Sequence, residues 1–173
     1  SQELSDLCAG KIGCWMSTQP DKGSDVQVFD MARDWAPGKP GNKGNVWGRI
    51  DGDEIVINGQ CSAWVSNGAV AQVALGYIGA EYDGSFFEKD GRPHGMCVII
   101  PLDLPGVSKG KPLDKIGQRA LPQGEIYFDN VRVPKRFAVA LKDEYYGSMA
   151  SAWSLAGTHM WQMLTGVGSA AFE

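Results

Sequence analysis

The sequence predicts a mainly β domain, a barrel or sandwich, followed by a long C-terminal α-helix. Three observations carry that expectation. From Ile12 to about Phe137, short runs of β-branched and aromatic residues alternate with turn pairs such as Asp51-Gly52, Asn58-Gly59, Asn67-Gly68, Asp83-Gly84, Asp90-Gly91 and Pro105-Gly106. Glycine is abundant at 23 residues, beside 9 prolines, as expected of a chain that turns often. After Pro134 the period changes. Met149, Trp153, Ala156, Met160, Met163, Val167 and Ala170 recur at steps of four and three, which is one stripe of a helix.

Taken in order, Ser1–Gly10 reads as the tail of a helix that began upstream. Val46–Ile50 and Glu54–Ile57 flank Asp51-Gly52 and read as a hairpin, since both turn residues tolerate positive φ. Val70–Ile78, Met96–Ile100 and Ile126–Val133 are further strands. Strands at this spacing favour an all-β architecture over a parallel sheet layered with helices. In the last strand, Ile126, Phe128, Asn130 and Arg132 alternate imperfectly with Tyr127, Asp129, Val131 and Val133, which leaves its inward face open. The terminal helix runs to Glu173 despite Gly157, Gly166 and Gly168, each costing about 1 kcal/mol of helix propensity. Its Trp and Met stripe offers more apolar surface than one β domain easily covers, so a helical partner is expected and the chain reads as a fragment.

Composition narrows the function. With 173 residues the chain is one domain, or one plus a piece, at about 100–200 residues per domain. Apolar residues at 43% and charged residues at 21% exclude wholesale disorder. A net charge of −4 and a pI near 5.2 argue against nucleic-acid binding, which needs a basic face. The densest basic group, Lys109, Lys111 and Lys115, reads as a solvated loop. No apolar run is long enough for a membrane span. Cys8, Cys14, Cys61 and Cys97 form no C-x-x-C pair, and His94 and His159 are the only histidines, so no metal site is expected. Reduced thiols without a signal pattern fit a cytoplasmic protein.

Two stretches offer chemistry. Gly13-Cys14-Trp15-Met16-Ser17-Thr18-Gln19-Pro20-Asp21-Lys22-Gly23-Ser24-Asp25-Val26 is a strand running into a loop of hydroxyls and backbone donors. Such a loop can hold a phosphate or a ring carbonyl; an ordinary β-turn is the plainer alternative. Asn58-Gly59-Gln60-Cys61-Ser62-Ala63-Trp64-Val65-Ser66-Asn67-Gly68 sets Trp64 and Ser66 two apart, on one face of an extended strand. The indole can lie along a flat ligand while the hydroxyl donates to its edge, or Trp64 is a core residue beside a turn serine.

With Val98-Ile99-Ile100-Pro101…Pro105-Gly106-Val107 and Lys115-Ile116-Gly117-Gln118-Arg119…Glu125-Ile126-Tyr127-Phe128-Asp129-Asn130-Val131-Arg132-Val133-Pro134, these stretches resemble, in order, four motifs of the acyl-CoA dehydrogenase family. The resemblance runs from about Leu7 to Glu173. It implies the tail of an N-terminal helical domain over 1–11, a middle β domain over 12–137, and a linker with the first helix of a C-terminal bundle over 138–173. It further implies an FAD site of which this domain is one wall. Trp15, Ser17 and Thr18 would line the isoalloxazine ring, with Thr18 bonding its pyrimidine edge. Gly23 lies in the same loop, and Ser24 beside the pyrophosphate and the acyl-CoA arm. Trp64 would cover the ring face away from substrate, with Val65 and Ser66 beside it, and Ser66 stands where the family usually has threonine.

The reaction implied is α,β-dehydrogenation of an acyl-CoA thioester, with electrons passing to an electron-transferring flavoprotein, in a homo-oligomer. The catalytic base is expected beyond Glu173; Thr158-His159 replaces the glutamate–arginine pair that some members carry in the first bundle helix, and His159 is the expected substrate-side residue there. Departures from the family pattern include Gln19 for glutamate, and Leu121 and Gln123 for serine and threonine. A flavin-dependent oxidase or monooxygenase of the same architecture is the alternative enzyme. A non-enzymatic β-sandwich binding module would explain the strands but not the four ordered motifs.

Overall fold

The computed structural model describes residues 2–21 and 43–172. In chain order they form α1 (Gln2–Cys8), β1 (Gly13–Met16), β2 (Val46–Asp51), β3 (Glu54–Gln60), β4 (Val73–Glu81), β5 (Gly95–Pro101), β6 (Val107–Lys109), β7 (Ile126–Pro134), a 3₁₀ turn (Lys135–Phe137), β8 (Ala138–Leu141) and α2 (Glu144–Phe172). The strands make one sheet in the order β6-β7-β3-β2-β4-β5-β8, with β1 also beside β4. The β domain and the long terminal helix expected from the sequence are both present. The Asp51-Gly52 hairpin is present too, with Asp51 paired to Glu54.

Two features differ from the expected layout. The pairings of β4 with β1 and with β2 are parallel, whereas the strand spacing pointed to an all-β layout and away from a parallel sheet layered with helices. The strand placed at Val70–Ile78 begins at Val73, because the N–H groups of Val70 and Ala71 donate to the Asn67 carbonyl at 2.9 and 2.7 Å and close a turn.

β4 is apolar almost throughout because both of its faces are covered. Ala74, Ile78 and Ala80 point into the main core with Met16, Met96, Val98 and Ile100. Tyr77 points the other way, joining Cys97 and Ala140 beneath Tyr145 and Met149 of α2. Gly95 lets the helix come this close, since a Cβ there would lie 2.1 Å from the Tyr145 ring.

The imperfect alternation in β7 has a structural cause. Ile57 pairs with Val131 but Gly59 pairs with Phe128, so β7 carries one extra residue at this point. The bulge falls at Asp129-Asn130, where Asn130 has φ 51° and its N–H donates to Asn58 Oδ1 at 2.9 Å. Ile126 and Phe128 therefore point inward on one side of it, and Val131 and Val133 on the other.

At one end, α1 rests Leu4 and Leu7 on the core, and the Glu3 carboxylate accepts two hydrogen bonds of 2.7 Å from Arg136. At the other, α2 buries Tyr145 and Met149, while every residue from Thr158 to Phe172 is exposed. No helix among the described residues is long and apolar enough to cross a membrane.

Candidate functional site

One edge of β4 is shared by two strands, and that division makes the site. Val73–Gly76 pair with β1 and Gly79–Glu81 with β2, so the end of β1 and the start of β2 meet on either side of Tyr77-Ile78. Ser17, Gln19 and Lys43 gather at this opening, in a cleft closed by Tyr77 and by Tyr145, Tyr146 and Met149 of α2. Gln19 is buried, and its side-chain oxygen accepts the N–H groups of Asn45 and of Val46, the latter at 2.9 Å. Asp21 and Asn45 bond each other reciprocally, with Asp21 N–H donating to Asn45 Oδ1 and Asn45 Nδ2 to Asp21 Oδ2, both at 2.9 Å. The segment after β1 and the one before β2 are thus tied together.

The other flank of β1 meets the second motif. Asn67 Nδ2 donates to the Gly13 carbonyl at 3.3 Å, and Ser62 N–H to the Thr18 carbonyl at 3.1 Å. The hydroxyls of Thr18 and Ser62 bond at 2.6 Å, and Trp64 N–H donates to Ser62 Oγ at 3.2 Å. If Ser62, already an acceptor for Trp64, is the donor to Thr18, the Thr18 proton is left to point at a ligand.

The extended strand expected across Trp64 and Ser66 is not there. Ala63-Trp64 and Asn67–Val70 are turns, and Ser66 makes a single isolated bridge to Gln123. The reason is local: the Ser62 hydroxyl captures an N–H two residues on, and Asn67 sits at φ 63° with its carbonyl accepting two turn bonds. Such short-range bonds compete with a strand ladder. Trp64 and Ser66 are therefore neighbours through a turn and not through strand alternation.

The expected site residues that the structure describes have these settings. Trp64 is 65% exposed, an open indole and not a core residue. Val65 is 2% exposed with its side chain in the main core, leaving only its backbone for a ligand; its carbonyl accepts Gly68 N–H at 2.9 Å. Ser17, Thr18 and Ser66 are half-buried. Trp15 lies on the face of β1 toward α2, its ring 5.1 Å from that of Trp153 and 5.9 Å from that of Tyr77. His159 is exposed on α2, about 9 Å along the axis beyond Trp153 at 1.5 Å per residue. Lys22, Gly23 and Ser24 lie outside the described residues.

Burial pushes the Cys61 thiol up to about 12 and that of Cys14 up to about 11, so neither is a nucleophile near neutral pH. Among the described residues no group of three or more His, Cys, Asp or Glu could hold a metal ion.

Three residues absent from the expected site are hydrogen-bonded into its segments. Ser62 organises both Thr18 and Trp64, and the signal for it was a serine two residues before the tryptophan, a Ser/Thr-turn spacing. Gln123 donates to the Trp64 carbonyl at 2.9 Å and to Ser66 Oγ at 3.4 Å, and Lys115 donates to Gln123 Oε1 at 2.9 Å. These two are more than forty residues from Trp64 in sequence, and only their departure from a family pattern marked Gln123.

A family model described as acyl-CoA dehydrogenase, middle domain, matches residues 14–131. Glutaryl-CoA dehydrogenase of Desulfococcus multivorans is 32% identical over 126 residues, covering 72% of this chain and 26% of that protein. Human mitochondrial short-chain specific acyl-CoA dehydrogenase is 29% identical over 126 residues, covering 72% of this chain and 25% of that protein. Among solved structures, a glutaryl-CoA dehydrogenase from Mycobacterium smegmatis in complex with FADH2 matches with a TM-score of 0.56 at 25% identity, over 80% of this chain and 30% of that one. The chain spans about a quarter of the length of these curated relatives.

Proposed function

The chain belongs to the acyl-CoA dehydrogenase family, and from that membership we propose that it forms one wall of an FAD and acyl-CoA site in an enzyme that desaturates acyl thioesters between the α and β carbons. The single observation that carries the reading is an exposed indole, that of Trp64, two residues before Ser66, in a residue whose backbone N–H shares Ser62 Oγ with the Thr18 hydroxyl. A flat heteroaromatic ring with acceptor atoms along its edge fits this donor set: the indole offers a face to stack on, and the hydroxyls offer protons. The relatives' names supply the substrate class, an acyl-CoA, and the M. smegmatis structure supplies the cofactor.

Bound FAD would supply the hydride acceptor. The chain's own residues orient it and keep water off one face. Trp64 stacks, Thr18 and Ser66 donate to the ring edge, and the Thr18–Ser62 bond keeps the two motif segments together. Donors held in place before reaction are worth more than mobile water, on the order of 1–3 kcal/mol each in a dry site. In this reading α1 and α2 are the ends of flanking helical domains, and the base that takes the α proton comes from outside these 173 residues. An electron-transferring flavoprotein is the proposed acceptor, the assembly a homo-oligomer, and the compartment the cytoplasm.

The test is anaerobic titration of the full-length protein with a panel of acyl-CoAs. The protein should purify yellow, and a matching acyl-CoA should bleach the flavin absorbance. A colourless protein, or a yellow one that no acyl-CoA bleaches, overturns the proposal. Fast reoxidation by air after bleaching would instead favour the oxidase. Residues 1–173 alone should show no turnover.

A further inference from the structure

Ser66 is the hydroxyl the flavin reading depends on, and a hydroxyl has one proton. Whether it offers a ligand that proton or only a lone pair depends on what lies behind it. Behind Ser66 is Gln123, joined to it by a backbone bridge and by the 3.4 Å bond from Nε2 to Oγ. The other proton of the same amide goes to the Trp64 carbonyl at 2.9 Å. Its oxygen faces the Lys115 ammonium at 2.9 Å, and that ammonium also donates to the Leu121 carbonyl at 2.7 Å.

We infer that Lys115 and Gln123 form a relay that fixes the polarity of the Ser66 hydroxyl, so that Ser66 presents a proton to the acceptor edge of the ligand lying on Trp64. The donors available decide the polarity. An ammonium has donors only, so the amide oxygen must face Lys115 and the NH2 must face the loop. That NH2 has two protons and meets two acceptors, the Trp64 carbonyl and Ser66 Oγ. Ser66 Oγ thus accepts from behind, and its own proton turns forward. Without Lys115 only the Trp64 carbonyl, itself an acceptor, holds the amide this way round, so the Ser66 proton is less firmly directed. Gln123 is a positioning residue, since it acts through Ser66.

The inference rests on the flavin reading and can fail separately from it. The experiment measures the dissociation constant for oxidised FAD in the full-length wild type and in Gln123→Glu, Ser66→Ala, the double variant and Lys115→Met, with thermal unfolding of each apoprotein alongside. Gln123→Glu keeps the shape and the Lys115 contact but replaces the two amide donors by acceptors, which reverses the Ser66 proton. Expected is a weakening of about tenfold in Gln123→Glu and in Ser66→Ala, the loss of one hydrogen bond, with the double variant no weaker than either single. Lys115→Met should weaken binding in the same direction, by less. The flavin reduction potential should shift with the same sign in Gln123→Glu and Ser66→Ala.

Independent, multiplying effects in the double variant overturn the relay, because a merely structural Gln123 would act without Ser66. Unchanged affinity in Gln123→Glu also overturns it. If Gln123→Glu unfolds, Lys115→Met decides, and wild-type affinity in that variant overturns the relay. A wild type that binds no flavin overturns the functional reading itself.

Discussion

Gln19 shows what one buried amide settles at the scale of a residue. Its oxygen is the acceptor for two backbone N–H groups, those of Asn45 and Val46, at the start of β2. Gln19→Leu would bury both donors without partners, each costing about 1–3 kcal/mol. A loss of roughly 2–4 kcal/mol is expected from the urea midpoint of the folded chain. Gln19→Glu keeps an acceptor at the same place and should cost far less. The residue was visible in the sequence only as a substitution for glutamate; its partners lie more than twenty residues away. Trp64 was legible in kind, as an aromatic beside hydroxyls, but not in setting. Both a core position and an exposed one were open until the turn at Ser62 put the indole outside at 65% exposure.

Among the elements, β3 and β7 are decided by their shared irregularity. Gly59 has φ 112°, and a Cβ there would lie 1.8 Å from the Asn45 carbonyl oxygen, a backbone atom that cannot step aside without moving β2. Gly59→Ala is expected to abolish folding or to cost more than about 3 kcal/mol, combining a left-handed strain with a main-chain clash. Circular dichroism and the urea midpoint would report it, and a wild-type midpoint would refute the assignment of the bulge. Asn58-Gly59 was legible as a turn signal, yet it serves inside a paired strand, because its partner strand carries the bulge. The helix α2 was legible almost whole, since its stripe is a local period of the chain. What the period does not say is that only the first turns touch the sheet, which follows from Tyr145 and Met149 meeting Tyr77 and Cys97 across the fold.

For the whole molecule, three thiols record how much is buried. Burial holds Cys14 and Cys97 up to about 11 and Cys61 up to about 12, above their ordinary value of 9.0. A thiol whose folded value is raised ionises first in the unfolded chain. The stability it represents is therefore intact below pH 9 and is lost as pH rises through the folded values. Each thiol should cost about 1.4 kcal/mol by pH 10, so unfolding free energy should fall by several kcal/mol between pH 8 and pH 10. Cys→Ala at all three positions should flatten that slope, and a slope that persists would assign it to other groups. By itself the sequence determined the β texture, the hairpin, the terminal helix and four motifs in family order, because each of these is written in residues close together along the chain. Only the tertiary structure decided that β1 and β2 divide one edge of β4, that Thr18 meets Ser62, and that Gln123 stands behind Ser66. Those contacts join segments tens of residues apart, and nothing local in a sequence specifies which distant partner satisfies a hydrogen-bonding group.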